Sequence, residues 1–332
     1  MRRRYIGFIL LIFIFFIFYF LILPEFDIQQ FIESLKSTNI LIFSLALLTL
    51  LVSNSFAALR WSILMKEVNA KNSSNFSNAF GIFSLGQATG LIIPTRVGSY
   101  SKAPLIIKLD KLSYKTALAA VNAETIVDLV YIGCAGIVSL IIVSVLFSTH
   151  FFLSTVVILI IIGCLIITLI LLYKIQFFKG SCENQIARLS EPERHFVVKI
   201  PMLLLKKLFD LIISTREMFS HKIILAKVSF FTLITQMLGV VGFLLVIESA
   251  HESLPLIFIF AILTLSFLIG IISMIPGGLG ASDLSMIVLL ENAGIALPVA
   301  SNIALLWRFA MYIPIVAVSG LYLLKMHFFS EE

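Results

Sequence analysis

The sequence predicts an all-helical, polytopic integral membrane protein of about seven spans plus two re-entrant or half-helices, and three observations carry that prediction. Hydrophobic residues make up 60% of the chain and charged residues 13%, with a mean hydropathy of +1.09; a soluble globular domain carries about 25% charge. Apolar runs near 5–23, 40–59, 117–147, 151–173, 223–247, 255–275 and 299–324 each supply the roughly 20 residues that a spanning helix needs. Two Pro/Gly breaks interrupt the pattern: Gly90-Leu-Ile-Ile-Pro94-Thr-Arg96-Val-Gly98-Ser-Tyr-Ser-Lys102 and Met274-Ile-Pro276-Gly277-Gly278-Leu-Gly280-Ala-Ser-Asp283.

The breaks are the most informative elements. Lipid cannot hydrogen-bond freed backbone groups, so non-helical chain at bilayer depth persists only where protein or a water-filled cavity surrounds it. Both breaks share the pattern Pro-x-x-(Val/Leu)-Gly-(Ser/Ala), which suggests an internal repeat. Paired Gly/Pro-interrupted segments in the two halves of a transporter point to its substrate site; two coincidental turns at helix ends are the plainer alternative. The flanking stretches 77–93 and 282–297 are short and contain Gly, Asn, Gln or Glu, so they are expected as the half-helices.

Basic residues set the expected orientation, because cytoplasmic loops retain Lys and Arg. The N-terminus and segments 60–71, 96–115 and 174–222 hold 20 of the 24, which places the N-terminus in the cytoplasm of a plasma (inner) membrane. Glu25, Asp27, Glu33, Glu248 and Glu252, against a lone Lys36, fall outside. This arrangement requires 77–93 to dip in and return. The C-terminus is then outside if 282–297 is re-entrant and inside if it crosses. Residues 1–23 read as a retained first span, since the apolar run is too long for a signal peptide and lacks a small-x-small cleavage site. The excess of six positive charges reports topology and contact with anionic lipid, not nucleic acid.

The chain reads as a single membrane domain over 1–332, whose longest excursion is a cytoplasmic loop at about 174–222. Within that loop, Leu204, Leu205, Leu208, Leu211, Ile212 and Ile213 oppose Lys206, Lys207, Asp210 and Arg216, the pattern of an interfacial amphipathic helix. Segment 102–115 has a similar character, and 26–38 is expected on the opposite surface. Arg60 and Trp61, ending the second run, read as an interfacial anchor. Cys134, Cys164 and Cys182 have neither disulfide nor metal spacing. The five histidines form no ligand pair, and no nucleophile elbow, phosphate loop or dinucleotide fingerprint is present. No enzyme activity, metal or cofactor is therefore expected.

Ionisable residues inside spans cost on the order of 3 kcal/mol each and usually face a partner or a cavity. Glu124, Asp128 and Tyr131 recur at i, i+4 and i+7 on one helical face. Arg308 in the last span is a candidate partner for one of those carboxylates. They form either a structural ion pair or a binding set. In the second reading Arg96 and Arg308 clamp phosphate, whose oxygens match the guanidinium fork, while Glu124 and Asp128 hold a cationic group or a proton.

Taken in order, Leu59-Arg60-Trp61 with Leu64, Pro94-x-Arg96-x-Gly98 with Lys102, Glu124-x-x-x-Asp128, Pro276-Gly-Gly-Leu-Gly280 with Asp283, and Arg308 with Tyr312-x-Pro314 resemble the flippase-like membrane region of lysylphosphatidylglycerol synthases. Ser99, Lys102 and Thr125 stand where the family pattern has an acidic residue, an arginine and an arginine. The resemblance implies a translocator or binder of a phospholipid or polyprenyl-phosphate-linked lipid, with Arg96, Lys102, Glu124, Asp128, Asp283 and Arg308 lining the site and Pro94, Gly98, Pro276, Gly277, Gly278 and Gly280 shaping it. An accessory subunit that docks a lipid- or glycan-modifying enzyme is the alternative role.

Overall fold

A computed structural model describes residues 28–93, 95–146, 215, 222–273 and 275–328. The runs at 5–23 and 151–173 and the amphipathic pattern of 204–216 lie outside the described residues, apart from Thr215. The described chain is all-helical: α1 (Ile28–Ser37), α2 (Ile40–Glu67), α3 (Phe76–Gly90), a 3-10 segment (Thr95–Ser101), α4 (Lys102–Asp110), α5 (Tyr114–Leu146), α6 (Lys222–Ser249), α7 (Leu256–Ile272), α8 (Ala281–Asn292) and α9 (Leu297–Phe328). Among the described residues, four helices are long and apolar enough to cross a membrane: Ile40–Glu67, Tyr114–Ser144, Lys222–Ser249 and Leu297–Met326. The protein is an integral membrane protein.

Local chemistry fixes where these helices start and stop. Asn39 caps α2 by accepting from the amides of Leu41 and Ile42 at 3.1 and 3.2 Å, and Asn75 caps α3 through the Ser77 amide at 3.3 Å. Each cap satisfies amide donors that the first turn leaves open. Lys111, at φ 52°, ends α4 in the left-handed region. At 15 residues, α3 reaches about 22 Å, short of the roughly 30 Å hydrocarbon core.

Two hairpins enter from opposite ends. α3 leaves and α4 returns at one end, where Asp110 accepts from the amides of Asn72 and Ser73 at 2.7 and 2.8 Å. That end also holds the close of α2, through Ser62 Oγ to the Ser74 carbonyl at 2.6 Å, and the close of α9, through Lys325 Nζ to Ser77 Oγ at 3.0 Å. At the other end the Asn39 amide donates to the Ser249 carbonyl at 2.8 Å, and Asn302 Nδ2 donates to Thr38 Oγ1 at 3.4 Å. α6 therefore finishes, and α9 begins, beside the start of α2. α7 follows α6 and α8 precedes α9, so α7 and α8 form the second hairpin from that end.

This corrects two expectations. The 255–275 run, expected as a span, forms a helix of 17 residues that is one arm of a hairpin and shorter than the four membrane-length helices. Consequently the 282–297 stretch is a half-helix and yet α9 ends at the basic Asp110 end, a combination the sequence reading did not allow. The 77–93 stretch does return as expected. α1 has no buried residue, as suits a surface helix.

The halves repeat as long helix, hairpin, long helix: α2, α3/α4, α5 and then α6, α7/α8, α9. Their packing is exchanged. α2 lies against α6, α3 packs on α9, and α7 packs on α5. One apolar core gathers Trp61, Leu64, Met65, Ile82, Ile106 and Ala120 around the first hairpin, and a second gathers Phe243, Ile262, Ile287, Ile303 and Trp307 around the other.

Candidate functional site

The hairpin tips meet between these cores. A Cβ added to Gly277 would stand 3.3 Å from the Leu91 carbonyl oxygen, so the two broken segments touch. In the first tip Gly98 lies directly on the Gly90 backbone, and its carbonyl accepts from Thr89 Oγ1 at 2.8 Å. In the second, Gly278 faces Gly270, whose Cα is 3.1 Å from the position of an added Cβ. Glycine is required there, because Gly277 and Gly278 have φ of +60° and +65°. Pro94 lies outside the described residues, and Arg96 is located by its backbone within the 3-10 segment that follows it.

Beneath the first tip sits a four-charge cluster. Arg60, 3% exposed, donates through Nη1 to Asp128 Oδ1 at 2.5 Å and Thr232 Oγ1 at 2.8 Å, and through Nη2 to Glu124 Oε1 at 2.8 Å. Glu124 Oε2 accepts from Nζ of Lys102, the first residue of α4 and 1% exposed. The Lys102 ammonium lies 4.4 Å from the Trp61 ring centroid and 5.3 Å from that of Phe83, within range of the attraction between a cation and an aromatic face. Its stem passes Gly86, where an added Cβ would meet Lys102 Cγ at 2.7 Å. Tyr100 donates to Asn122 beside it, tying the tip to α5. Among the described residues, Arg60 Nε and Trp61 Nε1 are buried without a hydrogen-bond partner.

Arg60 and Trp61 are thus core residues, not an interfacial anchor. The reason is the length of α2, which runs on to Glu67 and leaves Arg60 about two turns inside the helix. Lys102 likewise departs from the amphipathic surface expected for 102–115, although Lys108, Lys111 and Lys115 of that segment are exposed.

The second tip is pinned by Arg308. Its Nε donates to Asp283 Oδ1 at 2.5 Å and its Nη2 to Asp283 Oδ2 at 2.7 Å, the bidentate geometry that guanidinium and carboxylate favour. Nη1 reaches the Gly277 carbonyl at 2.8 Å and Tyr312 Oη. Nη2 also reaches Ser282 Oγ at 2.7 Å and the Gly278 carbonyl at 3.1 Å. Asp283 Oδ2 in turn accepts from the Gly280 amide at 2.9 Å, starting α8.

Arg308 therefore pairs with Asp283 and not with Glu124 or Asp128. Those carboxylates are taken by α2 and α4, whereas α8 lies directly against α9. The structure brings Lys102, Glu124 and Asp128 together, and Asp283 and Arg308 together, with the tips between. Sequence reasoning missed Arg60, Trp61 and Thr232 as members. One signal was available: two carboxylates on one face of a span require more positive charge than a single distant arginine supplies. Among the described residues, no group of three or more His, Cys, Asp or Glu is placed to hold a metal ion.

Residues 6–319 match the family described as the lysylphosphatidylglycerol synthase TM region. That match is consistent with a membrane lipid-related function. No curated protein matches the chain significantly.

Proposed function

We propose that this chain, which belongs to the lysylphosphatidylglycerol synthase transmembrane-region family, moves a phospholipid or polyprenyl-phosphate-linked lipid across the bilayer. The observation that carries the reading is the meeting of two broken hairpins that enter from opposite ends, one beside a buried charge cluster and the other pinned by a partly buried ion pair. Broken backbone at this depth needs protein or water around it, and paired helix interruptions in repeated halves are where secondary transporters bind substrate.

In this reading the head group occupies the space at the tips while its acyl chains stay in lipid. Arg96 neutralises the phosphate. Glu124 and Asp128 take a cationic group or a proton, and Lys102, Asp283 and Arg308 complete the polar lining by exchanging their present partners for the head group. The work is translocation and not covalent chemistry, with the N-terminus and the Asp110 end on the cytoplasmic side of the plasma membrane. The energy comes from an ion gradient or the lipid gradient, since the sequence has no nucleotide-binding motif.

The test is a proteoliposome assay in which dithionite bleaches head-group-labelled phosphatidylglycerol only in the outer leaflet. Wild-type protein is expected to expose inner-leaflet lipid, and Arg96→Ala to lose most of that activity. Bleaching by the Arg96→Ala variant at the wild-type rate would remove the central residue of the proposal.

A further inference from the structure

The two charge pairs form a reversed repeat. Lys102 opens α4 and pairs with Glu124 of α5, 22 residues on; Asp283 lies in the first turn of α8 and pairs with Arg308 of α9, 25 residues on. Each long helix adds a second member four residues further, Asp128 in one half and Tyr312 in the other. Thus the returning arm of each hairpin is tied to the long helix of its own half, and the sign of the tie is exchanged. The outgoing arm packs on the other half, α3 on α9 and α7 on α5.

We infer that the two ion pairs are latches on two gates: Lys102–Glu124 holds the α3/α4 hairpin shut toward the Asp110 end, and Arg308–Asp283 holds the α7/α8 hairpin shut toward the Asn39 end. The inference rests on the transport reading for its purpose, but its evidence is geometric. Each pair is buried or nearly so, with side-chain exposures of 2% and 4% for Lys102 and Glu124 and 14% and 12% for Arg308 and Asp283. A buried charge that loses its partner is strongly disfavoured, so neither latch opens until another charged group replaces the partner. An anionic head group is the replacement the site would meet. It competes with Glu124 for Lys102 at one tip and with Asp283 for Arg308 at the other. Because the tips touch through Gly277 and Leu91, displacement of one bears on the other, which suits gates that open in turn.

The test reads access and needs no transport. In full-length protein with Cys134, Cys164 and Cys182 replaced by Ser, a single reporter is placed by Ile92→Cys, at a tip position 73% exposed, or by Ile275→Cys, 38% exposed. Oriented vesicles are treated with a membrane-impermeant maleimide from one side at a time. Lys102→Met is expected to raise Ile92→Cys labelling several-fold from the Asp110 side only. Arg308→Met is expected to raise Ile275→Cys labelling from the Asn39 side only. Gly86→Ala, which crowds the Lys102 stem while keeping its charge, is expected to act like Lys102→Met and supplies the test if the neutralised variant does not fold. Increases on the same side for both latches, or no increase with Gly86→Ala, would overturn the inference. Side-specific labelling together with no lipid movement would refute the transport reading and leave the latches standing; lipid movement with unchanged labelling would do the reverse.

Discussion

The α3/α4 and α7/α8 hairpins meet one requirement with opposite charges and different reach. The first is held by Arg60, Lys102, Glu124, Asp128 and Thr232, which come from α2, α4, α5 and α6. Among the described residues, the second is held by Arg308 acting on its own half: Asp283, Ser282 and Tyr312 with the Gly277 and Gly278 carbonyls. A charge knitted through four helices secures the fold, whereas one turned onto a glycine loop secures the shape of a tip. The same residue types therefore carry unequal shares of stability.

That contrast is broken or sharpened by substitution. The largest effect is expected for Arg60→Ala, which removes the guanidinium from Asp128 and Thr232 and leaves Glu124 to Lys102, at a cost of about 3–5 kcal/mol, and lowers the melting temperature of the detergent-solubilised protein. A smaller loss for Arg60→Ala than for Arg308→Ala would reverse the comparison. Arg308→Ala is expected to cost about 3 kcal/mol, with faster amide hydrogen exchange concentrated in residues 275–283. Exchange raised equally across α2 and α5 would show that the second pin is not local.

Lys102→Met comes next, at about 1.5–3 kcal/mol for one charge-assisted hydrogen bond, because Glu124 keeps its bond to Arg60. A double-mutant cycle with Glu124→Gln measures the coupling, and coupling near zero would deny the contact. The smallest effects separate the glycines. Gly278→Ala, at φ +65°, is expected to cost about 1–2 kcal/mol, while Gly90→Ala, with nothing within 4 Å of its added Cβ, is expected to stay within about 0.5 kcal/mol. Thermal melts of the two variants, read side by side, check the difference.

The sequence made the membrane class and both breaks legible, because composition and Pro/Gly punctuation are local signals. It also showed that 77–93 had to return, since charge placement demanded it. The second hairpin was harder to read. The 255–275 run is apolar throughout and long enough to cross, and nothing within it says that α7 stops at Ile272 and that α8 turns back. The cluster around Glu124 was half visible. Two carboxylates four residues apart announce a shared face, but the partners of Glu124 lie 64 and 22 residues away in sequence and that of Asp128 lies 68 away, and an arginine at the close of an apolar run ordinarily snorkels to the interface. The apolar run stops short of the helix that contains it: α2 continues to Glu67, which carries Arg60 inward to the carboxylates of α5.

The central claim is that the meeting tips hold a lipid head group through Arg96. Its most direct test is mass spectrometry of the lipids that co-purify with the wild-type protein and with Arg96→Ala, each compared with the bulk membrane. Enrichment of one phosphate-bearing lipid class in the wild type, lost in the variant, is the result expected. Bulk-like lipid in both would contradict the claim and favour a docking role for the basic loops.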